Sequence, residues 1–384
     1  MTSLYGGVRD KLHLFYPAGS ANSLMRIVFV QKFVPHYRLP FFERVKETLE
    51  QRGMEFVLIY CEPDPYENSK VQMVYPEWGI RASTRHFSVF KRYLYWANVF
   101  KHLKRGDIVI AEHAAKLIDN YIIFAARQTG WLKMGYFGHG ENFQATTEFK
   151  ISAIIKKLML RHVDHWFAYT DVSRASLQRQ GVEESIITVV NNTLAVPANA
   201  QLGKQPPDAH TCIYIGGLYT LKLLPLLIDA ASRVAQEIPT FKLEIVGEGP
   251  DKPLLQEAAE TRPWLTVHGA LYGLERDSLL ASANAILMPG LVGLIAIDSF
   301  QFERPVLTST AGEHSPEIAY LVDQENCLID EGDVTAESYG DMIVRYLNDT
   351  SLQDKLRAGC RDSAALYSID NMADNFCDAV GKSS

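Results

Sequence analysis

The stretch that most constrains this chain is residues 282–321, SANAILMPGLVGLIAIDSFQFERPVLTSTAGEHSPEIAYL. Ala285 to Met288 form an apolar run stopped by Pro289-Gly290, which predicts a buried strand ending at a turn. Residues 293–302 space their apolar side chains as a helix does, with Asp298 as the only charge, and residues 305–309 return to a β-prone run. A strand, loop, helix, strand unit belongs to an open α/β sheet, where ligands sit at the carboxyl ends of the strands, facing free N–H groups and a helix dipole. Helix amino termini favour anions, so a phosphate group is the first expectation.

The same alternation runs through the rest of the chain. Strands are predicted at 27–30, 56–60, 108–111, 134–137, 165–169 and 186–190, with helices at 39–51, 117–128 and 151–161. Residues 61–85 have no clear period. Residues 196–210, rich in Pro, Gly and polar side chains, read as a linker. Beyond it come strands at 212–215, 242–246 and 265–268, helices at 223–236 and 253–260, and two tail helices within 352–380. The fold class expected is therefore α/β, two doubly wound Rossmann-like domains: residues 26–200, and 201–365 followed by a last helix over 366–384. At 384 residues the chain can build two cores. Residues 1–25 lie before the first strand and read as an extension or a misassigned start.

Several glycine-bearing turns resemble a known pattern. Pro289-Gly290-Leu291-Val292-Gly293-Leu294, Asp298, Pro305-Val306 and Pro316-Glu317 fall at the spacing of the nucleotide-sugar signature of retaining GT-B glycosyltransferases. That large family includes sucrose synthases and bacterial mannosyltransferases and is described as glycosyltransferase family 4-like. The signature has a Glu where this chain has Gly290 and a second Glu where it has Asp298. Gly216-Gly217-Leu218 and Lys222 are similar to the family's Gly-Arg-Leu and Lys-Gly, with Gly217 in place of the arginine. Read without the resemblance, these are a tight turn and a solvated lysine.

The resemblance implies a GT-B fold with the nucleotide sugar on the second domain. Gly216, Gly217, Lys222, Gly247, Glu248, Ala270, Gly290, Leu291, Val292, Gly293 and Leu294 would surround the donor. Lys222 and the helix dipole at Gly293 would stabilise the departing diphosphate, and Asp298 would anchor the ribose. It further implies His139, among Gly138 and Gly140, as a cleft residue near the reacting sugar, with Glu141 and Asn142 as neighbours and His113 a second candidate. His36, Tyr37 and Arg38, in a loop leaving strand one, are expected on the acceptor side. Each also has a plain structural reading, as a core histidine or an ordinary loop. With Gly290 in place of a sugar-binding carboxylate, backbone N–H groups of residues 291–293 become the expected donors to sugar or phosphate, and a modified donor sugar is expected unless Glu313 or Glu317 substitutes.

Charge is divided between the halves: 25 basic against 18 acidic residues in 1–200, leaving 13 against 27 in 201–384. No acid lies between Glu77 and Asp107, where Arg85, Lys91, Arg92, Lys101, Lys104 and Arg105 interleave with aromatic side chains, and residues 150–162 carry Lys156, Lys157 and Arg161. These read as amphipathic helices for an anionic membrane surface, or as core aromatics beside solvated cations. The acidic second half argues against nucleic acid. Five scattered cysteines suggest neither a disulfide framework nor a zinc site, and no apolar run reaches the roughly 20 residues of a membrane span. Glu62-Pro63-Asp64 is a poor match to a metal-binding Asp-x-Asp.

The reading is a retaining, metal-independent hexosyltransferase without a cofactor, cytoplasmic and peripheral on the inner membrane face. It would move sugar from a nucleotide sugar to a lipid-linked or glycan acceptor in surface polysaccharide or glycoconjugate synthesis. An epimerase or hydrolase on the same scaffold, or a catalytically silent homologue acting as an assembly partner, are the alternatives.

Overall fold

The computed structural model describes residues 24–63, 73–89, 92–114, 116–140, 158–197 and 199–381, and the statements below concern these residues. In the first half, strands β1 (Arg26–Gln31), β2 (Glu55–Cys61) and β3 (Ile80–Ala82) precede a hairpin of β4 (Arg85–Val89) and β5 (Arg92–Trp96). Strands β6 (Ile108–Glu112), β7 (Lys133–Gly138), β8 (His165–Ala168) and β9 (Ile187–Val189) follow. Apart from the hairpin they form one sheet in the order β3-β2-β1-β6-β7-β8-β9, parallel throughout. Central parallel strands are covered on both faces, which is why β1 reads as an unbroken apolar run with Ile27 to Val30 fully buried.

In the second half, β10 (Thr211–Ile215), β11 (Lys242–Val246), β12 (Leu265–Gly269), β13 (Ala285–Met288), β14 (Val306–Ser309) and β15 (Cys327–Asp330) form a parallel sheet ordered β12-β11-β10-β13-β14-β15. The order reverses between β10 and β13, so the loops leaving these two strands flank the switch point where open sheets take their ligands. The expected α/β class with parallel sheets is what the structure has.

Helix α1 (Leu39–Gln51) begins with Pro40 in its first turn and buries Phe41, Phe42, Val45 and Leu49, one stripe at helical spacing. Helices α2 (Asp119–Gln128), α3 (Asp171–Arg179), α4 (Leu224–Glu237), α5 (Lys252–Glu260), α6 (Gly273–Ser282) and α7 (Ile295–Phe302) connect the strands. Helix α8 (Ala336–Asn348) starts from a reciprocal cap in which Thr335 and Ser338 each satisfy the other's backbone N–H. Helices α9 (Thr350–Leu366) and α10 (Ile369–Gly381) close the chain. Helix α10 lies against α1, and its Phe376 packs on Phe41, Phe167 and Phe29 with ring centroids 5.7, 4.6 and 5.8 Å away. The carboxyl-terminal helix is thus part of the first domain's core.

One expectation changes. Residues 85–96 form an antiparallel ribbon, with Arg85 opposite Trp96 and Phe87 opposite Leu94, and not an amphipathic helix. Aromatic residues such as Phe87, Tyr93, Tyr95 and Trp96 suit a strand as well as a helix. Tyr95 is buried and Phe100 stacks on Trp131 at 4.9 Å, so part of the aromatic set belongs to the core, while Phe87 stays exposed. Helices α3, α6 and α8 and strand β15 were not read in the sequence. Most of residues 150–162, with Glu141, Asn142 and Asp64, lies outside the described residues.

Candidate functional site

The donor-side loops converge because glycine lets their backbones touch. A Cβ on Gly247 would run into the carbonyl oxygen of Gly216, and one on Gly249 into that of Leu218, so the turns after β10 and β11 are in direct backbone contact. Gly216 N–H donates to Val246 O and Leu218 N–H to Glu248 O, at 3.0 and 2.9 Å. At the next turn, Ala270 N–H donates to the Glu248 carboxylate, whose pKa lies below the usual range chiefly because Lys252 bonds it at 2.6 Å. Glu248 is therefore a turn clamp on the protein surface.

Lys222 closes a turn of 3-10 helix, Thr220–Lys222, and is 7% exposed. Its ammonium donates to Leu291 O at 2.5 Å and approaches Met288 Sδ at 3.9 Å. No carboxylate among the described residues pairs with it. Burial pushes its pKa down to about 8. This ammonium is thus held largely out of water at the carboxyl end of a parallel sheet, with a main-chain carbonyl as its hydrogen-bond acceptor. The missing arginine's place is covered by an aromatic ring: a Cβ on Gly217 would meet the Tyr219 ring at 2.6 Å.

The loop leaving β13 differs from expectation at two points. Val292 N–H is already bound to His314 Nδ1 at 3.0 Å, so within residues 291–293 it is not an open donor to a ligand. His314 Nε2–H in turn donates to Ser309 O at 2.8 Å, which sets the tautomer, and burial lowers the pKa of this histidine so that the ring stays neutral. Gly290 is also no vacancy for a glutamate. A Cβ there would lie 2.5 Å from Leu221 O and 2.9 Å from Leu223 Cγ, so the segment 221–223 occupies the place. Gly293 and Leu294 lead into α7, whose first turn lacks a side-chain cap.

Asp298 sits on the buried side of α7, ion-paired with Arg276 of α6, which also bonds Asp277 at 3.3 Å. Burial raises the Asp298 pKa and Arg276 opposes the rise. Arg276 went unrecognised in the sequence because its partner is 22 residues away and no local pattern marks the pair. The structure does not bring Asp298 to Lys222; it gives it a partner of its own.

On the first domain, His36, Tyr37 and Arg38 form a 3-10 turn after β1. His36 is exposed, but Arg38 is buried, its guanidinium 5.4 Å from the Tyr169 ring and its Nη1 3.8 Å from Met372 Sδ of α10. Arg38 is thus packed against α10. His139 stacks edge-on against Tyr169 at 4.4 Å, and its pKa is lowered mainly by burial, with Glu317 opposing from the second domain and Arg38 reinforcing. His113 lies edge-on to Tyr136 and Trp166, each at 5.1 Å.

Glu317 is 4% exposed and accepts a hydrogen bond from Asn192 Nδ2 at 2.9 Å, across the junction of the two halves. Tyr320 Oη adds donations to Tyr169 O and Asn192 O at 3.2 and 3.0 Å. Asn192 at the crossing was not read as a site residue. Glu313 is exposed. His139, Arg38 and Glu317 are thus within electrostatic reach of one another, while Lys222, Leu291 and the glycine turns form a second group at the end of the second sheet.

Two parallel, helix-flanked sheets of this kind are the architecture of the GT-B class. Residues 209–349 match the model of the family described as Glycosyl transferases group 1. The chain is similar in structure to HepE from Anabaena, solved in complex with UDP (TM-score 0.68, 12% identity, covering 94% of this chain and 100% of that one). It is likewise similar to a mutant of TarM from S. aureus solved with UDP among its ligands (0.62, 12%, 94% and 100%). A third similar structure is sucrose-phosphate synthase from Thermosynechococcus elongatus (0.65, 18%, 93% and 98%). No curated protein sequence matches. The resemblance to family 4-like GT-B glycosyltransferases therefore holds, in sequence over the second domain and in fold over the chain.

Proposed function

We propose that this protein is a retaining glycosyltransferase that moves a sugar from a nucleoside diphosphate sugar to a glycan or lipid-linked acceptor. The observation that carries the reading is Lys222, a buried ammonium without a carboxylate partner among the described residues, beside the β13 loop. A diphosphate there would supply the missing negative charge, and the same ammonium would stabilise that charge as the glycosidic C1–O bond breaks. The acceptor hydroxyl would form the new bond at C1 and pass its proton to the departing phosphate oxygen. In this reading Lys222 provides the cationic charge, with neither metal nor cofactor. His139, held neutral by burial and close to Glu317, would border the reacting sugar.

The test is acceptor-dependent release of nucleoside diphosphate, preceded by a melting screen with UDP, GDP, ADP and dTDP, since specific binding stabilises the fold. Stabilisation by one of the four and release only with acceptor is expected. Release without acceptor would favour an epimerase or hydrolase, and no binding would favour a silent assembly partner. In the same assay His139→Ala should lower turnover while leaving nucleotide affinity within about twofold. If His139→Ala lost only thermal stability, the ring would be a core group.

We further infer a cytoplasmic, peripheral site on an anionic membrane surface. The β4–β5 ribbon supports this, with Arg85 above the Trp96 ring at 5.7 Å and Phe87 exposed, as does the basic excess of residues 1–200. None of the helices is long and apolar enough to cross a membrane, among the described residues. Flotation with anionic vesicles that fades as salt rises is expected; equal flotation with neutral vesicles would refute the electrostatic part.

A further inference from the structure

Leu223 adopts a backbone conformation that leucine seldom takes, φ +54° and ψ +43°, at the residue preceding α4. A β-carbon in this left-handed region crowds its own carbonyl, so non-glycine residues are held there only when surrounding structure requires it, often at ligand sites. Leu223 Cγ stands 2.9 Å from where a Gly290 Cβ would be, and Leu223 Cδ1 3.4 Å from where a Gly312 Cβ would be. The leucine thus lies against two bare glycine backbones, next in sequence to Lys222. His314 is close by but has both ring nitrogens engaged, by Val292 N–H and Ser309 O.

We propose that Leu223 is the specificity wall of the donor-sugar subsite, and that the sugar turns a methyl group toward it, from a deoxy carbon or an acetamido substituent. This rests on the nucleotide-sugar reading above. With the diphosphate at Lys222, the sugar bonded through C1 to its β-phosphate would lie beside the β13 loop, in reach of the outer face of Leu223. A hydroxyl pressed on that aliphatic surface gives up water without gaining a partner, which costs about ten- to hundredfold in affinity. A methyl group gains from the same contact.

The experiment is calorimetric binding of matched donors on the base found by the melting screen. UDP-glucose against UDP-N-acetylglucosamine tests the acetamido source, and dTDP-glucose against dTDP-6-deoxyglucose or GDP-mannose against GDP-6-deoxy-D-mannose the deoxy source. The methyl-bearing member of at least one pair should bind about tenfold tighter than its partner, the size of a hydroxyl left without a bond. Leu223→Ala should bring the ratio to within about twofold. Leu223→Gly, at ease in this backbone conformation, should do the same in a chain free of the strain. Equal affinities in every pair, or a preference that survives both substitutions, overturns the proposal. If no nucleoside diphosphate binds at all, the functional reading fails first and this inference with it, so the two failures are distinct.

Discussion

Lys222→Met should bind nucleoside diphosphate at least tenfold more weakly than the natural protein, yet melt at a higher temperature. The binding loss follows from removing a charge-assisted contact, worth about 1.5–3 kcal/mol, with no second cation at Gly217 to share the anion. The gain in stability follows from the lowered pKa. A lysine at about 8 in the fold, against 10.5 when unfolded, opposes folding while it is charged. The penalty is fully present below pH 8, roughly 3 kcal/mol at neutral pH, and fades as pH rises from 8 toward 10.5. A methionine of similar length removes it.

The affinity of the natural protein should fall as pH rises through 8, because the site then loses its ammonium. Between pH 7 and pH 9 the charged fraction, and with it the affinity for a nucleotide sugar, drops about tenfold. Calorimetry at the two pH values, with Lys222→Met as the flat control, checks the assignment. A Lys222→Met protein with unchanged affinity would remove Lys222 from the donor site.

Gly290→Ala should destabilise the second domain strongly, and Gly290→Glu should not restore a conventional donor site. The backbone of Gly290 has an ordinary φ, so the cost comes from contact and not from torsion. The new Cβ would sit 2.5 Å from Leu221 O and 3.0 Å from Lys222 C, both main-chain atoms that cannot rotate away. Overpacking costs about 1–3 kcal/mol, and a clash with fixed main-chain atoms falls at the upper end, roughly 6–12 °C in Tm for a domain of this size. Because the displaced segment carries Lys222, nucleotide affinity should fall with stability. A Gly290→Ala protein that melts normally and binds nucleotide would mean that segment 221–223 yields without cost, and the closed arrangement of this loop would have to be abandoned.

The sequence by itself determined the architecture, since period and punctuation are local properties of a chain. Buried parallel strands show as unbroken apolar runs such as 27–30 and 285–288, and the turns after them show as glycine and proline. The donor-side loops were legible for the same reason, because backbones that touch, as at Gly216 and Gly247, demand glycine at fixed places. Helix α6 was missed because a short polar segment between strong strands carries little apolar period, and the ribbon at 85–96 was misread because basic and aromatic residues suit a helix or a strand alike.

Only the tertiary structure decided who meets whom. Arg276 reaches Asp298 across 22 residues, His314 takes the Val292 N–H across another 22, and Asn192 holds Glu317 across 125. None of these pairs leaves a periodic trace. The same is true of Gly290, where the sequence reports a missing carboxylate and the packing shows Leu221 O and the Leu223 side chain standing in its place. A one-dimensional pattern records which residues each element must bury, whereas complementarity between loops far apart in the chain is set by the way the sheets bring their ends together, and that is a property of the packed fold alone.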